Sequence, residues 1–292
     1  MKSDNEQGAE AQVPVDERGP AGEAVPEEIA SGKRNTRQSL HVLTYNIHKG
    51  FPQFNRRLSL HDLRERLQAV EPDLVFLQEV VGFHARHAER HANWPTSPQY
   101  EFLADQVWDD FAYGRNAVVD DSHHGNAILS KFPIARWDNE DVSAHQLERR
   151  GLLHCEISIP GWLQPLHAIN VHLGLFRAWR ERQLLALVNR IDRLVPHDAP
   201  LIIAGDFNDW TRRASHLLER SLDVSEVFES SGRGPARSFP AMLPVLHLDR
   251  IYVRGFRVKL AHVHRGLQWA RISDHAPLSA LLTRTGDGRA GA

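Results

Sequence analysis

Four short apolar runs, Leu40–Asn46, Leu74–Glu79, Leu166–His172 and Leu201–Asn208, each close on a polar residue, and this shared ending narrows the fold more than any other feature. Rich in β-branched and aliphatic residues and too short for helices, they read as buried strands. A buried strand has little room for a carboxylate, carboxamide or imidazole along its length, so a polar last residue belongs at the rim of a sheet. Asn46, Glu79, His172, Asp206 and Asn208 are rim residues on this reading.

Helical patterns lie between the runs. Ser59 can cap a segment with Leu60, Leu63, Leu67 and Val70 on one face, and Arg180–Val195 buries Leu184, Leu187, Val188, Ile191 and Leu194. The class is therefore α/β or α+β. Asn126–Ser130 with Leu152–Ile159, and the latter with Leu166–His172 across Pro160 and Gly161, read as hairpins. Hairpins favour mixed or antiparallel sheets over a doubly wound parallel one.

At 292 residues and 41% hydrophobic content the chain can bury a sizeable core. Residues 1–36 are the exception: rich in Glu, Ala, Gly and Pro, they cannot offset their ordering entropy by burial and read as a disordered acidic tail. Met1–Ala30 holds eight acids and two bases, which leaves 33 bases against 29 acids, a net +4, for the rest. That mild excess suits small or isolated phosphates better than extended duplex DNA, which demands a denser basic track. One cysteine, Cys155, gives no disulfide framework, and no stretch reaches the length of a transmembrane helix or a signal peptide's apolar region. A cytoplasmic location is the simpler expectation.

Asp206 and Asn208 stand two apart in Gly205-Asp206-Phe207-Asn208-Asp209 and share a side if the strand continues. With Asn46, Glu79, Asp249 and Asp274 they offer oxygen ligands, and ionised buried carboxylates need a partner or a metal. Hard oxygen donors select Mg²⁺, Mn²⁺ or Ca²⁺ over zinc. Taken singly, each has a plainer explanation: a turn for Asn46, solvent for Glu79, Arg250 or Arg254 as partner for Asp249, a core histidine for His172, a cap for Ser273-Asp274-His275. His84, His87 and His91 have helical spacing without a completing ligand and read as a solvated helix, and His123 and His124 before Gly125 read as a loop. Phe176–Arg180 mixes aromatics and cations directly after His172, which suits an exposed first helical turn or contact with a phosphate or lipid headgroup.

In order along the chain, Thr-Tyr-Asn46-Ile, Leu-Gln-Glu79, Gly-Asn-Ala-Ile-Leu-Ser130, Asn-Val-His172-Leu, Gly-Asp206-Phe-Asn208, Leu-Asp249-Arg-Ile and Ser-Asp274-His275 resemble the successive blocks of the endonuclease/exonuclease/phosphatase (DNase I-like) superfamily. The resemblance spans about Leu40–Leu282 and is strongest to short bacterial members with Asn-Ile-His-Lys-Gly50 and His-Gly-Asn126. It implies an α+β, four-layer αββα sandwich: two mixed sheets packed face to face with helices outside, over 37–284, followed by a flexible 285–292. It also implies roles. Glu79 binds Mg²⁺, with Mn²⁺ the second choice, supported by Asn46 and Asp274; Asp206 aligns or deprotonates water; Asn208 and His172 hold phosphoryl oxygens; and His275, oriented by Asp249, is the acid/base or transition-state stabiliser. His48, Tyr113, Arg115, His124, Asn126 and Arg177 are candidate substrate contacts. Asn-Ile-His48 departs from the Asn-x-Asp of AP endonucleases, which argues against abasic-site chemistry. The expectation is a Mg²⁺-dependent phosphoesterase acting on a small or lipid-linked phosphodiester or phosphomonoester, with peripheral headgroup contact. A Mg²⁺-dependent nuclease and a catalytically silent interaction module are the alternatives.

Overall fold

The computed structural model describes residues 37–50, 60–84, 97–119, 122–145 and 148–285. The expected acidic tail, Ser59, His87, His91 and 286–292 lie outside them, and Thr285 is held by its N–H donating to Gly255 O at 3.0 Å. The strands are β1 Ser39–Asn46, β2 Leu74–His84, β3 Asp110–Val119, β4 Ser122–Ser130, β5 Ile134–Asp141 and β6 Gly151–Ile157. They continue as β7 Leu166–His172, β8 Leu201–Asp206, β9 Ser225–Glu226, β10 Asp249–Arg254, β11 Phe256–Val263 and β12 Leu278–Arg284.

Period-two alternation sorts these strands into layers. Leu40 and Val42, Leu74 and Phe76, Leu166 and Ala168, Ile202 and Ala204, and Ile251 and Val253 share one core cluster between two sheets. The intervening residues turn outward. Leu43, Tyr45, Val75 and Leu77 pack on Leu60, Leu63 and Leu67 of the helix Leu60–Val70, and Ile169, Val171, Leu201 and Ile203 pack on Leu184, Leu187, Val188 and Ile191 of the helix Arg177–Leu194. Four layers result, as the resemblance implies.

The sheets have orders β11-β12-β1-β2-β4-β3 and β5-β6-β7-β8-β10-β9. Both are mixed, with β1/β2 and β7/β8 the parallel pairs. A parallel pair needs a crossover, and each crossover contains one of the two helices above. No helix among the described residues is long and apolar enough to cross a membrane.

Three local expectations are corrected. The hairpin of Asn126–Ser130 with Leu152–Ile159 does not form, because β4 pairs with β2 and β3 in one sheet while β6 pairs with β5 and β7 in the other. The expected hairpin of β6 with β7 is present. The second helix begins at Arg177 rather than Arg180, and Leu194, expected inside, is exposed at its last turn. His84 ends strand β2, and His123 and His124 lie on β4 rather than in a loop or helix.

His154 and His167, on the outward face of β6 and β7, meet at 3.0 Å between Nε2 and Nδ1, and both are buried. Burial, and then the charge of His167, pushes His154 down to about 3; burial lowers His167 also. A histidine lowered on folding contributes stability that is present above its unfolded value of about 6.5 and is lost as pH falls toward the folded value. For His154 about 2 kcal/mol disappears between about pH 6.5 and about pH 5. Between neutrality and about pH 5, acidification should lower Tm less, or raise it more, in His154→Gln than in wild type; an identical pH dependence of Tm in the two proteins would contradict a neutral buried pair.

Candidate active site

Continuing the inward alternation by one step places polar residues at one edge of the sandwich. Asn46 follows Leu40, Val42 and Thr44; His172 follows Leu166, Ala168 and Asn170; Asp206 follows Ile202 and Ala204. Parallel pairing sets His172 beside Asp206, and antiparallel pairing of β8 with β10 sets Asp249 opposite Asp206. Glu79 would point outward by alternation. Its φ of 56° and the register shift between Leu77 and Val80 break the pattern and release it from the pleat. His48 (φ 45°), Lys49 (φ 58°) and Asn208 (φ 48°) are also left-handed, so backbone strain gathers at this edge.

The side chains converge on Asp206. Its Oδ2 accepts from Asn46 Nδ2 at 3.1 Å and lies 3.7 Å from His172 Nε2 and 3.8 Å from His275 Nε2, while its Oδ1 accepts from Asn208 N at 2.9 Å. His275 Nδ1 is bonded to Asp249 Oδ2 at 2.8 Å. Asp249 therefore pairs with His275, not with Arg250 or Arg254. β8 ends at Asp206, and Asn208 Nδ2 donates to Leu173 O at 2.9 Å. Behind the loop, Asp209 accepts from Thr211 and from Ala214 N, and buried Arg250 donates to Asp209 O at 2.6 Å.

These contacts divide the charges. Burial raises Asp206 to about 7, with the His275 charge opposing and Asp249 reinforcing. Burial alone would lower His275, but Asp249 and then Asp206 outweigh it and push it up to about 10. His172 is held well below the ordinary histidine range by burial and by the charges of Arg150, His275, His124 and Lys49. One imidazolium and one neutral imidazole therefore flank a carboxylate that can take a proton near neutrality.

Residues 43–275 match the Endonuclease/Exonuclease/phosphatase family. The chain belongs to that family. It is 47% identical over 242 residues to the uncharacterized protein YbhP of Escherichia coli strain K12, covering 83% of this chain and 95% of that one. The fold is similar to an endonuclease/exonuclease/phosphatase from Beutenbergia cavernae, with TM-score 0.68, 20% identity and coverage of 86% of this chain and 72% of that one. It is also similar to D. rerio TDP2 complexed with single strand DNA product, with TM-score 0.61, 21% identity and coverage of 84% and 99%. Membership makes the chain a hydrolase of the phosphoesterase or nuclease type, in a family whose members generally use divalent metals.

Family membership raises the question of where an ion fits. Glu79 Oε2 and Asp274 Oδ1 both face His48 Nδ1, at 3.9 and 3.6 Å, and among the described residues neither carboxylate has a lysine or arginine partner. Two partly exposed carboxylates without a permanent cation are a fitting donor set for a hard divalent ion. Asn46 bridges the set to Asp206, its Nδ2 donating also to Glu79 Oε1 at 3.3 Å while its Oδ1 accepts from His48 N. Asp206, Asp249 and His275 also bring ligand atoms within 4.8 Å of one another. Asp249 and His275 are already bonded to each other at 2.8 Å, whereas Glu79 and Asp274 have no cation partner among the described residues, so the Glu79–Asp274 pair is the better seat.

The remaining expected residues are dispersed. His48 lies at the ion seat, and the charge of His124 reaches His172. Tyr113 stacks on Tyr100 at 4.5 Å and bonds to His123, inside the cluster beneath the outer helix. Arg115 is exposed, and Asn126 is fully buried, tying the sheets together through Nδ2 to Gly151 O at 3.0 Å. Arg177 is exposed and pairs with Glu181 at 2.8 Å, whereas Arg180 is buried and spends its guanidinium on Gly174 O and Leu175 O. Sequence reasoning missed the support beneath the site. Gln78 Nε2 bonds Asn170 Oδ1 across the sheets at 2.8 Å, Ser273 Oγ bonds Asn46 O at 2.7 Å, and Ser238 Oγ accepts from Asp249 N. Arg150, whose charge reaches His172, was missed as well. The inward period would have found Gln78 and Asn170; Ser238 and Arg150 have no local signal.

Proposed function

We propose that the chain hydrolyses a small or lipid-linked phosphodiester or phosphomonoester by in-line attack of a water aligned by Asp206. The observation that carries this reading is the convergence on Asp206 Oδ2 of the Asn46 amide and two imidazole Nε2 atoms, at 3.1, 3.7 and 3.8 Å. Asp206, raised by burial, accepts the water's proton, and Asn46 fixes the carboxylate that does so. His275, protonated and tethered at Nδ1 by Asp249, has only Nε2 free, and this N–H neutralises charge developing on a phosphoryl oxygen. Neutral His172 and the Asn208 amide position further oxygens. Glu79 and Asp274, with Asn46 in support, would hold Mg²⁺ or, second, Mn²⁺, which supplies charge neutralisation for phosphoryl oxygens.

The rim supports a substrate with an apolar part. Among the described residues, six of the twelve exposed large apolar side chains lie on loops leaving the site. Leu175 and Phe176 follow His172, Trp210 follows Asp209, and Met242, Leu243 and Val245 occupy the turn whose Phe239 ring lies 5.1 Å from His275. Apolar side chains gathered beside a polar centre suit an acyl or other apolar group next to the scissile phosphate. The second reading is a nuclease, favoured by the fold it shares with D. rerio TDP2, which was seen with a single strand DNA product.

A panel of small phosphate esters, short-chain phospholipids, plasmid and abasic DNA, assayed with Mg²⁺ at moderate salt, tests the choice. The expected result is a higher kcat/KM for a small or lipid-linked ester than for either DNA. Efficient nicking of plasmid by protein freed of contaminating nuclease, lost in Asp206→Asn, would promote the nuclease, and no turnover on any member would favour the silent module.

A further inference from the structure

Where the helix Val227–Ser230 packs near β11 at the edge of the sandwich, the structure holds a cleft of about 820 Å³. Its lining includes Arg233, Arg237, Arg265, His247 and His262 and the apolar Phe228, and among the described residues no acid. Several arginines elsewhere are neutralised, as Arg190 is by Asp138 and Glu140 and Arg212 by Glu229. Among the described residues none of Arg233, Arg237 and Arg265 has a carboxylate within ion-pair distance. Three unpaired guanidiniums round one concavity repel one another, and an anion entering it relieves that repulsion. Two groups are already oriented. Arg233 Nη1 donates to Ala261 O at 3.0 Å, and His247 Nδ1, facing the carbonyl of Ala236 at 3.1 Å, must be the donor there.

The cleft adjoins the catalytic centre through one hairpin. Ser238 N donates to Leu246 O, and Phe239 bridges Leu246. Arg237 precedes Ser238, whose Oγ accepts from Asp249 N and whose O accepts from Ala276 N, while His247 stands two residues before Asp249, a span of about 7 Å. The hairpin thus presents Phe239 to His275 and Arg237 and His247 to the cleft. The forked donors of arginine match the oxygens of a phosphate bidentately, and three such forks round one cleft suit its multiple charge. We propose that this cleft is a second anion site, binding a phosphate group other than the one attacked at Asp206. The phosphate is either a second one on the same substrate or one on a separate ligand. Only the substrate form rests on the reading of the catalytic centre.

Inorganic phosphate is the probe, and arginine modification by a dicarbonyl reagent, mapped by peptide mass in the full chain, reads the site directly. Phosphate at millimolar concentration should slow modification of Arg237 and Arg265 severalfold relative to exposed Arg257 and Arg271, in wild type and equally in Asp206→Asn. Equal modification with and without phosphate at all four positions overturns the site, whatever the enzyme hydrolyses. The source follows from R237Q/R265Q, both surface changes whose folding circular dichroism can check. For a second phosphate on the substrate, KM for a doubly phosphorylated ester rises at least tenfold while KM for its singly phosphorylated counterpart is unchanged. For a separate ligand, both KM values stay unchanged, and free phosphate alters the rate of wild type but not of R237Q/R265Q.

Discussion

Asp206→Asn and His275→Ala should each lower turnover by at least about a hundredfold, the lower range for loss of an acid–base group. In Asp206→Asn the amide keeps an oxygen for Asn208 N, which Asp206 Oδ1 now accepts at 2.9 Å, but no longer takes a proton from water. The loss should therefore appear in kcat with little change in KM. In His275→Ala the buried Asp249 carboxylate loses its 2.8 Å partner, so some stability goes with the activity. Asp249→Asn separates the two effects, because it leaves the ring in place while removing the charge that holds its proton. Turnover of that variant should fall, and its alkaline limb should move to lower pH than in wild type. Circular dichroism melts distinguish lost chemistry from lost fold. Unchanged turnover in both first variants, with an active wild type, would move the chemistry to another part of the molecule.

How much of this was legible in the sequence follows from how local each determinant is. Asn46, His172 and Asp206 were readable because the inward face of β1, β7 and β8 is apolar until its last position, and alternation is a short-range rule. Glu79 was readable as the acid closing an apolar run, but the strand does not end there: β2 continues to His84, and the direction of Glu79 depends on its left-handed backbone at a bulge, which no propensity announces. The false hairpin of β4 with β6 arose because β5, the edge strand between them, is largely exposed and polar and so does not read as an apolar run. At that point the chain leaves one sheet for the other. Arg180 falls in a segment that reads as an exposed first helical turn or a phosphate contact and does neither: with Arg177 as the first helical residue it is buried, and its guanidinium satisfies the carbonyls of Gly174 and Leu175. The pairing of Asp249 with His275 joins residues on a strand and a loop 26 positions apart, so local reading left Arg250 and Arg254 open and only the family resemblance named His275. The cationic cleft collects Arg233, Arg237, His247, His262 and Arg265 from three separate segments, a grouping no window of sequence contains.

Removal of divalent metal should abolish turnover, and added Mg²⁺ should restore it. Glu79 on β2 and Asp274 before β12 approach the same point at one end of a single sheet, each within 4 Å of His48 Nδ1, and a third carboxylate, Asp206, is tied to Glu79 through the Asn46 amide. Like charges gathered this closely cost stability, so a divalent ion should be visible in the fold as well as in the rate. Chelator-treated protein should melt at a lower temperature than protein with Mg²⁺ well above its dissociation constant, by about 2.7 kcal/mol of stability at a hundredfold excess. Glu79→Gln keeps the volume but removes one charge, and should raise the Mg²⁺ concentration for half-maximal rate by at least about tenfold, no less than is lost when a residue merely supporting a ligand is changed. The same substitution should also shrink the Mg²⁺-dependent rise in Tm, a readout that needs no substrate. Chelated, metal-free protein turning over at the full rate would remove the ion from the mechanism and leave protonated His275 to neutralise the phosphoryl oxygens. An unaltered Mg²⁺ response in Glu79→Gln, with activity still metal-dependent, would instead move the ion to the Asp206–Asp249–His275 cluster, whose ligand atoms lie within 4.8 Å of one another.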